Sequence, residues 1–178
     1  QRRVTVRRGG QQDHITADAV VLALPATIVR RLAFSPPLPS PQRKAFQDLQ
    51  YGPATKTLLQ FDRRFWRHQG APLAYGTDLP IGAMWDGNEE QRGRSGILTL
   101  LAGGSASRDT QRLLAHGGAE AVAEQLKWLG ATKAVLCASH HVSWEDDRFV
   151  RGGYAVFQAG YDPEQRAWLS RPHGRILF

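Results

Sequence analysis

Residues Ala19-Val20-Val21-Leu22-Ala23-Leu24 form an unbroken apolar run of strand length that ends at Pro25. A half-buried strand would alternate; a run without alternation suits a strand buried on both faces, as in a parallel sheet covered by helices. Ahead of it, Val4-Thr5-Val6, the turn signal Gly9-Gly10 and residues 14–16 predict a hairpin. Ten residues after Pro25 comes Ser35-Pro36-Pro37-Leu38-Pro39. Its prolines remove backbone donors and forbid regular helix or a central strand. The stretch reads as an extended connection between two domains.

Beyond it, Ser40 reads as a helix cap with Pro41 at the first helical position, the helix running to about Leu49. Residues 55–61 form a strand. Residues 83–85 and 96–102 form two more, joined by the turn Asp86-Gly87-Asn88. Residues 107–129 read as helical and split at Gly117-Gly118, with Leu113, Val122, Leu126 and Leu129 on the core face. Residues 134–144 are a strand, Glu145-Asp146-Asp147 a solvated polar turn, and residues 153–157 a strand. Asp162-Pro163 opens a short helix toward Trp168, and Gly174 restarts a strand. Strands and helices in this order predict an α+β fold: a mixed-sheet domain with helices over 35–143, flanked by strands of an incomplete α/β domain over 1–34 and 144–178. Both ends fall in strand-like runs, so the chain reads as part of a longer protein.

Several function classes are excluded. The single cysteine, Cys137, permits no internal disulfide or cysteine metal cluster, and reads as a small core residue of its strand. The net charge of +7 is dominated by arginine, and the arginine pairs are dispersed along the chain. A nucleic-acid surface gathers them into a patch, so no nucleic-acid partner is expected. No run approaches the length of a membrane helix and no leader opens the chain, which sets the expectation of a cytoplasmic protein without membrane contact. Oligomeric state is not legible.

Motifs for nucleotides and nucleophiles are missing. No two glycines stand two apart, so there is no G-x-G-x-x-G, and no Gly-Lys pair, so there is no P-loop. Gly103-Gly104-Ser105 reads as a turn before a helix rather than a phosphate cradle. No G-x-S-x-G elbow is present. His140 and His141 are adjacent in a strand, point to opposite faces and cannot together hold one ion.

Two features carry chemistry. In the strand over 55–61, Lys56 shares a face with Leu58 and Gln60. It is either a surface lysine of an edge strand or a lysine turned into a cleft, where desolvation lowers its pKa and its ammonium can hold a water or polarise a cofactor. The second feature is Trp144, Phe149, Gly152-Gly153 and Tyr154. Paired glycines let backbone approach a flat ligand, and the aromatics can wall a cavity; a β-turn with core aromatics has the same pattern.

In order along the chain these residues resemble the flavin-containing amine oxidases: monoamine, polyamine and L-amino-acid oxidases and the flavin histone demethylases. Residues 17–25 are similar to the family's strand ending in Leu-Pro, and residues 34–39 to its F-x-P-P-L-P crossover. Gly52, Lys56, Phe61, Phe65 and Trp66 fit G-x-x-x-K-x-x-x-x-F-x-x-x-F-W. Trp144, Gly152 and Tyr154 fit its W-x-x-x-x-x-x-x-G-x-Y stretch, and residues 174–178 resemble the start of G-R-I-x-F-A-G-E.

The resemblance implies a two-domain flavoprotein in which the 1–34 and 144–178 segments belong to an FAD-binding domain and 35–143 to a substrate-binding domain. It implies that Lys56 is catalytic and holds a water against the flavin. Trp144, Phe149, Gly153 and Tyr154 would border the cofactor, Tyr154 also walling the amine. Gly153 stands where monoamine oxidases carry the cysteine that bonds the flavin, so FAD is expected to be non-covalent. The implied reaction is oxidation of a C–N bond to an imine by hydride transfer to FAD, with a small-molecule amine and O2 as partners and H2O2 released. Residues 68–80 are expected to help set amine specificity. A related FAD desaturase or protoporphyrinogen-oxidase-like enzyme shares the plan without needing Lys56. A non-catalytic binding domain is the reading from outside the enzymes, and the chain alone is expected to be inactive.

Overall fold

The structure is a computed structural model that describes residues 1–178 except Gln69, Leu73 and the side chain of Thr132. In chain order its elements begin β1 (Arg2–Arg8), β2 (Gln11–Ala17), β3 (Val20–Val21), α1 (Ala26–Val29), α2 (Ser40–Asp48) and β4 (Gln50–Tyr51). Next come β5 (Ala54–Phe61), β6 (Ala74–Gly76), β7 (Ala83–Asp86), β8 (Gly96–Gly103) and α3 (Gly104–Glu124). After two 3-10 turns follow β9 (Leu136–Ser143), β10 (Ala155–Val156), α4 (Pro163–Leu169) and β11 (Ile176–Leu177). They fall into two compact units, Gln1–Gln50 with Val156–Phe178, and Tyr51–Ala155.

In the first unit β1 and β2 form the expected antiparallel hairpin, Arg2 opposite Ala17 and Arg8 opposite Gln11. Gly9 and Gly10 turn it with φ of 56° and 84°, values that a two-residue loop demands and side chains resist. β3 pairs in parallel with β11, Val20 opposite Ile176, so the ends of the chain meet as a parallel sheet would have them. Burial on both faces is not observed: Val21 is 69% and Leu24 42% exposed. Two strands cannot by themselves supply the covering layers that an apolar strand needs. Helix α2 starts at Ser40 with Pro39 as its cap and no side-chain cap bond; Ser40 is the first helical residue, not the cap. Ala45 and Phe46 of α2 are buried with Val29 and Leu38, and the Phe178 ring lies 5.3 Å from that of Phe46. Gln42, also buried, donates to Arg171 O at 2.6 Å. Asp162 caps α4 as expected, accepting from the Glu164 N–H at 2.9 Å.

The second unit is a five-stranded sheet in the order β6-β7-β8-β5-β9 with α3 across one face. Every ladder in it is antiparallel, which corrects the expectation of a mixed sheet. The short connections from β6 to β7 and from β7 to β8 impose antiparallel neighbours. Strand β6 was not foreseen, because Ala-Tyr-Gly carries no alternation to read. Helix α3 begins three residues earlier than expected, at Gly104, and its helical geometry breaks at Gly118, φ 63° and ψ −158°, within the predicted glycine pair.

Alternation along β5 buries Thr55, Thr57, Leu59 and Phe61 toward the helix. There Leu59 and Phe61 join Met84, Leu98, Leu100, Val122 and Leu126 in one apolar cluster. Trp66, packed edge-on to Phe65 at 4.9 Å, donates through Nε1 to Asp86 Oδ2 at 3.0 Å. Arg67 Nε also donates to Oδ2, at 2.6 Å, and the Asn88 N–H to Oδ1 at 3.0 Å. Burial pushes the Asp86 carboxyl up, but these three hydrogen bonds and the Arg67 charge outweigh it and hold it below the usual carboxylate range. This anchor fixes the end of β7 one residue beyond Trp85.

Candidate functional site

Strand β5 has a neighbour on each side, β8 and β9, so Lys56 is not a lysine of an edge strand. The register sets Lys56 between Leu101 of β8 and Val142 of β9, on the sheet face away from α3. Leu58 continues that face between Thr99 and His140, and Trp85 of β7 lies opposite Thr99. From there the Trp85 ring reaches Lys56, whose Nζ is 5.7 Å from the ring centroid, within cation–π range. A half-buried lysine therefore stands in the interior of the sheet, on a face shared with Leu58, Leu101 and Val142 and with Thr99 and His140. Trp85 was not singled out from the sequence, because its contact with Lys56 depends on the order β7-β8-β5, which no local pattern encodes.

The turn after β9 is stitched to the start of β5. Trp144 N–H donates to Ala54 O at 3.1 Å, Gly152 N–H to Trp144 O at 3.0 Å, and Gly153 N–H to Gly52 O at 2.8 Å. Tyr154 O accepts from the Gly52 N–H at 3.0 Å. The glycines are required by this closeness. A Cβ on Gly153 would fall 2.3 Å from Ala54 Cβ, and one on Gly152, where φ is 141°, 2.6 Å from Tyr51 Cβ. Trp144 and Gly153 thus converge on Ala54, two residues before Lys56 in β5. Tyr154 is 64% and Phe149 63% exposed, and Phe149 is capped by the Arg148 guanidinium at 4.4 Å.

Two smaller expectations change. Glu145 is not a solvated turn charge; its carboxylate is tied to the backbone of Ala54 and to Ser107 and Gln111 of α3. Cys137 is exposed rather than a core residue. It occupies the irregularity where Gln60 pairs with Ala138 and Phe61 with Leu136, an extra residue of the kind that turns a side chain out of the ladder. Gly104 donates its N–H to Pro53 O at 3.0 Å, so that amide is spent inside the fold. His140 and His141 pair with Leu58 and Thr57, on opposite faces as expected, and no metal-ligating cluster exists among the described residues. Of residues 68–80, Gln69 and Leu73 lie outside the described residues.

A flat aromatic cofactor needs an apolar surface with few, well-placed polar groups and backbone free of side-chain bulk. The face around Lys56 offers Leu58, Leu101, Val142 and the Trp85 ring with a lysine among them, and these residues fit a flavin ring, while the space at the glycine pair is taken by Ala54 and Tyr51. The family of flavin containing amine oxidoreductases matches the chain over residues 1–178, and the chain belongs to that family. It is 26% identical to an L-amino-acid oxidase of Bungarus fasciatus over 93% of the chain and 33% of that protein. An L-amino acid dehydrogenase of Synechocystis sp. is 28% identical over 88% of the chain and 34% of that protein. The fold resembles that of a cyclohexylamine oxidase from Brevibacterium oxydans, with a TM-score of 0.77 and 22% identity over 99% of this chain and 39% of the other. The chain spans about a third of the length of the curated relatives it matches. No helix among the described residues is long and apolar enough to cross a membrane.

Proposed function

We propose that the whole protein is an FAD-dependent oxidase of small-molecule amines that binds its cofactor non-covalently and passes electrons to O2, releasing H2O2. The observation that carries the reading is Lys56 on an interior strand, held beside Trp85 on the sheet face away from α3. On the family resemblance, residues 1–34 and 144–178 are assigned to the FAD-binding domain and 35–143 to the substrate domain, although the compact units divide the chain after Gln50 and after Ala155.

When bound, FAD supplies the hydride acceptor that turns a C–N bond into an imine. The chain supplies the setting. Lys56 Nζ donates a hydrogen bond to a water at the reacting position, and its neighbours Leu58, Leu101 and Val142 keep further water away. Arginine would not serve, because a guanidinium has no single point charge to aim and does not give up its proton. Trp144, Phe149 and Tyr154 offer aromatic surface to cofactor and amine, Tyr154 forming a wall against the amine. Gly153 offers no nucleophile for a covalent link.

A second acceptor is favoured by one specific observation: one relative is named a dehydrogenase, not an oxidase. The test is amine-dependent peroxide release by the purified whole protein over an amine and amino-acid panel. Peroxide in step with amine consumed supports O2 as acceptor. Amine consumption only with an added quinone or dye assigns the dehydrogenase reading, and no amine oxidation with either acceptor sinks the proposal.

A further inference from the structure

The carboxylate of Glu145 is used entirely within the protein. Oε2 accepts from the Ala54 N–H at 3.0 Å. Oε1 accepts from Ser107 Oγ at 3.1 Å and from Gln111 Nε2 at 2.5 Å. Thr55 Oγ1 lies 2.9 Å from Ser107 Oγ and 2.9 Å from Ser143 Oγ, and accepts from Gln111 Nε2 at 3.2 Å. An ionised carboxylate only accepts, which orders every proton in this chain. Ser107 gives its proton to Glu145 and so accepts from Thr55, and Thr55 in turn accepts from Ser143. Aligned hydroxyls of this kind strengthen one another.

The network ends on Ala54, whose position decides the site. Ala54 N–H is held by Glu145 and Ala54 O by Trp144 N–H at 3.1 Å, while Ala54 Cβ is the atom that Gly153 closes on. Lys56 is two residues along the same strand. We propose that Glu145 is a positioning residue for amine oxidation: it fixes the Trp144–Tyr154 turn against the strand that carries Lys56, and so sets the spacing between the lysine and the aromatic residues of that turn. This inference rests on the reading of Lys56 given above. A glutamine fits less well, because with its oxygen kept on the Ala54 N–H its NH2 forces Ser107 and Gln111 to turn from donors to acceptors and reverses the hydroxyl chain behind them.

The test compares Glu145→Gln, Lys56→Met and Leu126→Ala in the whole protein. Leu126 lies in the apolar cluster and reports what lost stability alone does. Four quantities are read: flavin affinity of the apoprotein, the flavin absorbance spectrum, amide exchange at residues 54–56, and the separate kcat and KM for amine. Glu145→Gln is expected to speed exchange at 54–56, to shift the flavin spectrum and to lower kcat roughly tenfold or more, with KM changed less than twofold. Leu126→Ala should lower the melting temperature while leaving spectrum and kcat at wild-type values. A Glu145→Gln protein that differs from wild type only as Leu126→Ala does would overturn the positioning role while Lys56→Met stays impaired. Wild-type turnover in Lys56→Met would instead overturn the reading of Lys56, and the inference with it.

Discussion

Lys56 Nζ lies 5.7 Å from the centre of the Trp85 ring, across the intervening strand β8. The two residues are 29 positions apart, and only the register Lys56–Leu101 with Trp85–Thr99 brings them together. An indole is the best aromatic partner for an ammonium, the pair contributing about 0.5–2 kcal/mol. The pair orients the one cation of the face without neutralising it, as a carboxylate would.

Trp85 should therefore matter through Lys56. Trp85→Leu is expected to slow amine oxidation by roughly 2- to 30-fold, the rate equivalent of losing that interaction. Trp85→Phe, which keeps a ring, should fall between it and wild type. Steady-state turnover of the two variants checks the order; equal rates for leucine and tryptophan would dissociate Trp85 from the lysine.

Position 153 should tolerate no side chain while Ala54 is present. Gly153→Ala places its methyl against Ala54 Cβ and is expected to cost about 1–3 kcal/mol, as overpacking does. Ala54→Gly in the same protein should restore most of that loss, since it removes the opposing methyl. Urea unfolding of the single and double variants measures the coupling. Additive losses would mean that the close approach is not what requires glycine.

Flavin attachment follows from the same contact. The whole protein should release its flavin on acid precipitation. Gly153→Cys should do so too, because the packing against Ala54 displaces the backbone that a covalent link would need. Absorbance of the washed pellet decides; yellow protein from the wild-type chain contradicts the account.

Asp86 makes stability depend on acid. Its folded-state pKa is depressed, so its contribution is complete above the unfolded value of about 3.9 and is lost as pH falls through the folded value. Its side chain is 7% exposed and ion-paired to Arg67. Asp86→Asn should cost about 1.5–3 kcal/mol at neutral pH, the range for hydrogen bonds to a charged group, and should flatten the loss of stability below pH 4. Denaturant midpoints at pH 7 and pH 3.5 for both proteins test this.

Much of the scaffold could be read from the chain because local chemistry encodes it. Gly9-Gly10 demanded a tight hairpin, Asp162-Pro163 a helix start, and period-two alternation placed Lys56, Leu58 and Gln60 on one face. What could not be read depends on distant residues. Whether β5 was an edge or an interior strand turned on pairing with β8 and β9, whose partners of Lys56, Leu101 and Val142, lie 45 and 86 residues further along the chain. Glu145-Asp146-Asp147 looks like solvated charge until Ser107 and Gln111 arrive from α3 to occupy Glu145. The apolar run at Ala19–Leu24 announced a doubly covered strand, and the first unit covers it only in part. Cys137 looked like core because no sequence pattern announces the bulge that turns it outward.

The central claim is that Lys56 serves the flavin-dependent step. It is tested most directly by reducing the whole protein anaerobically with an amine substrate and timing its reoxidation by O2, in wild type and Lys56→Met. The account predicts a loss of about 10²-fold or more in reduction, reoxidation or both, the scale of a positioned proton-bearing group, with Lys56→Arg no better than methionine. Wild-type rates for both half-reactions in Lys56→Met would contradict it.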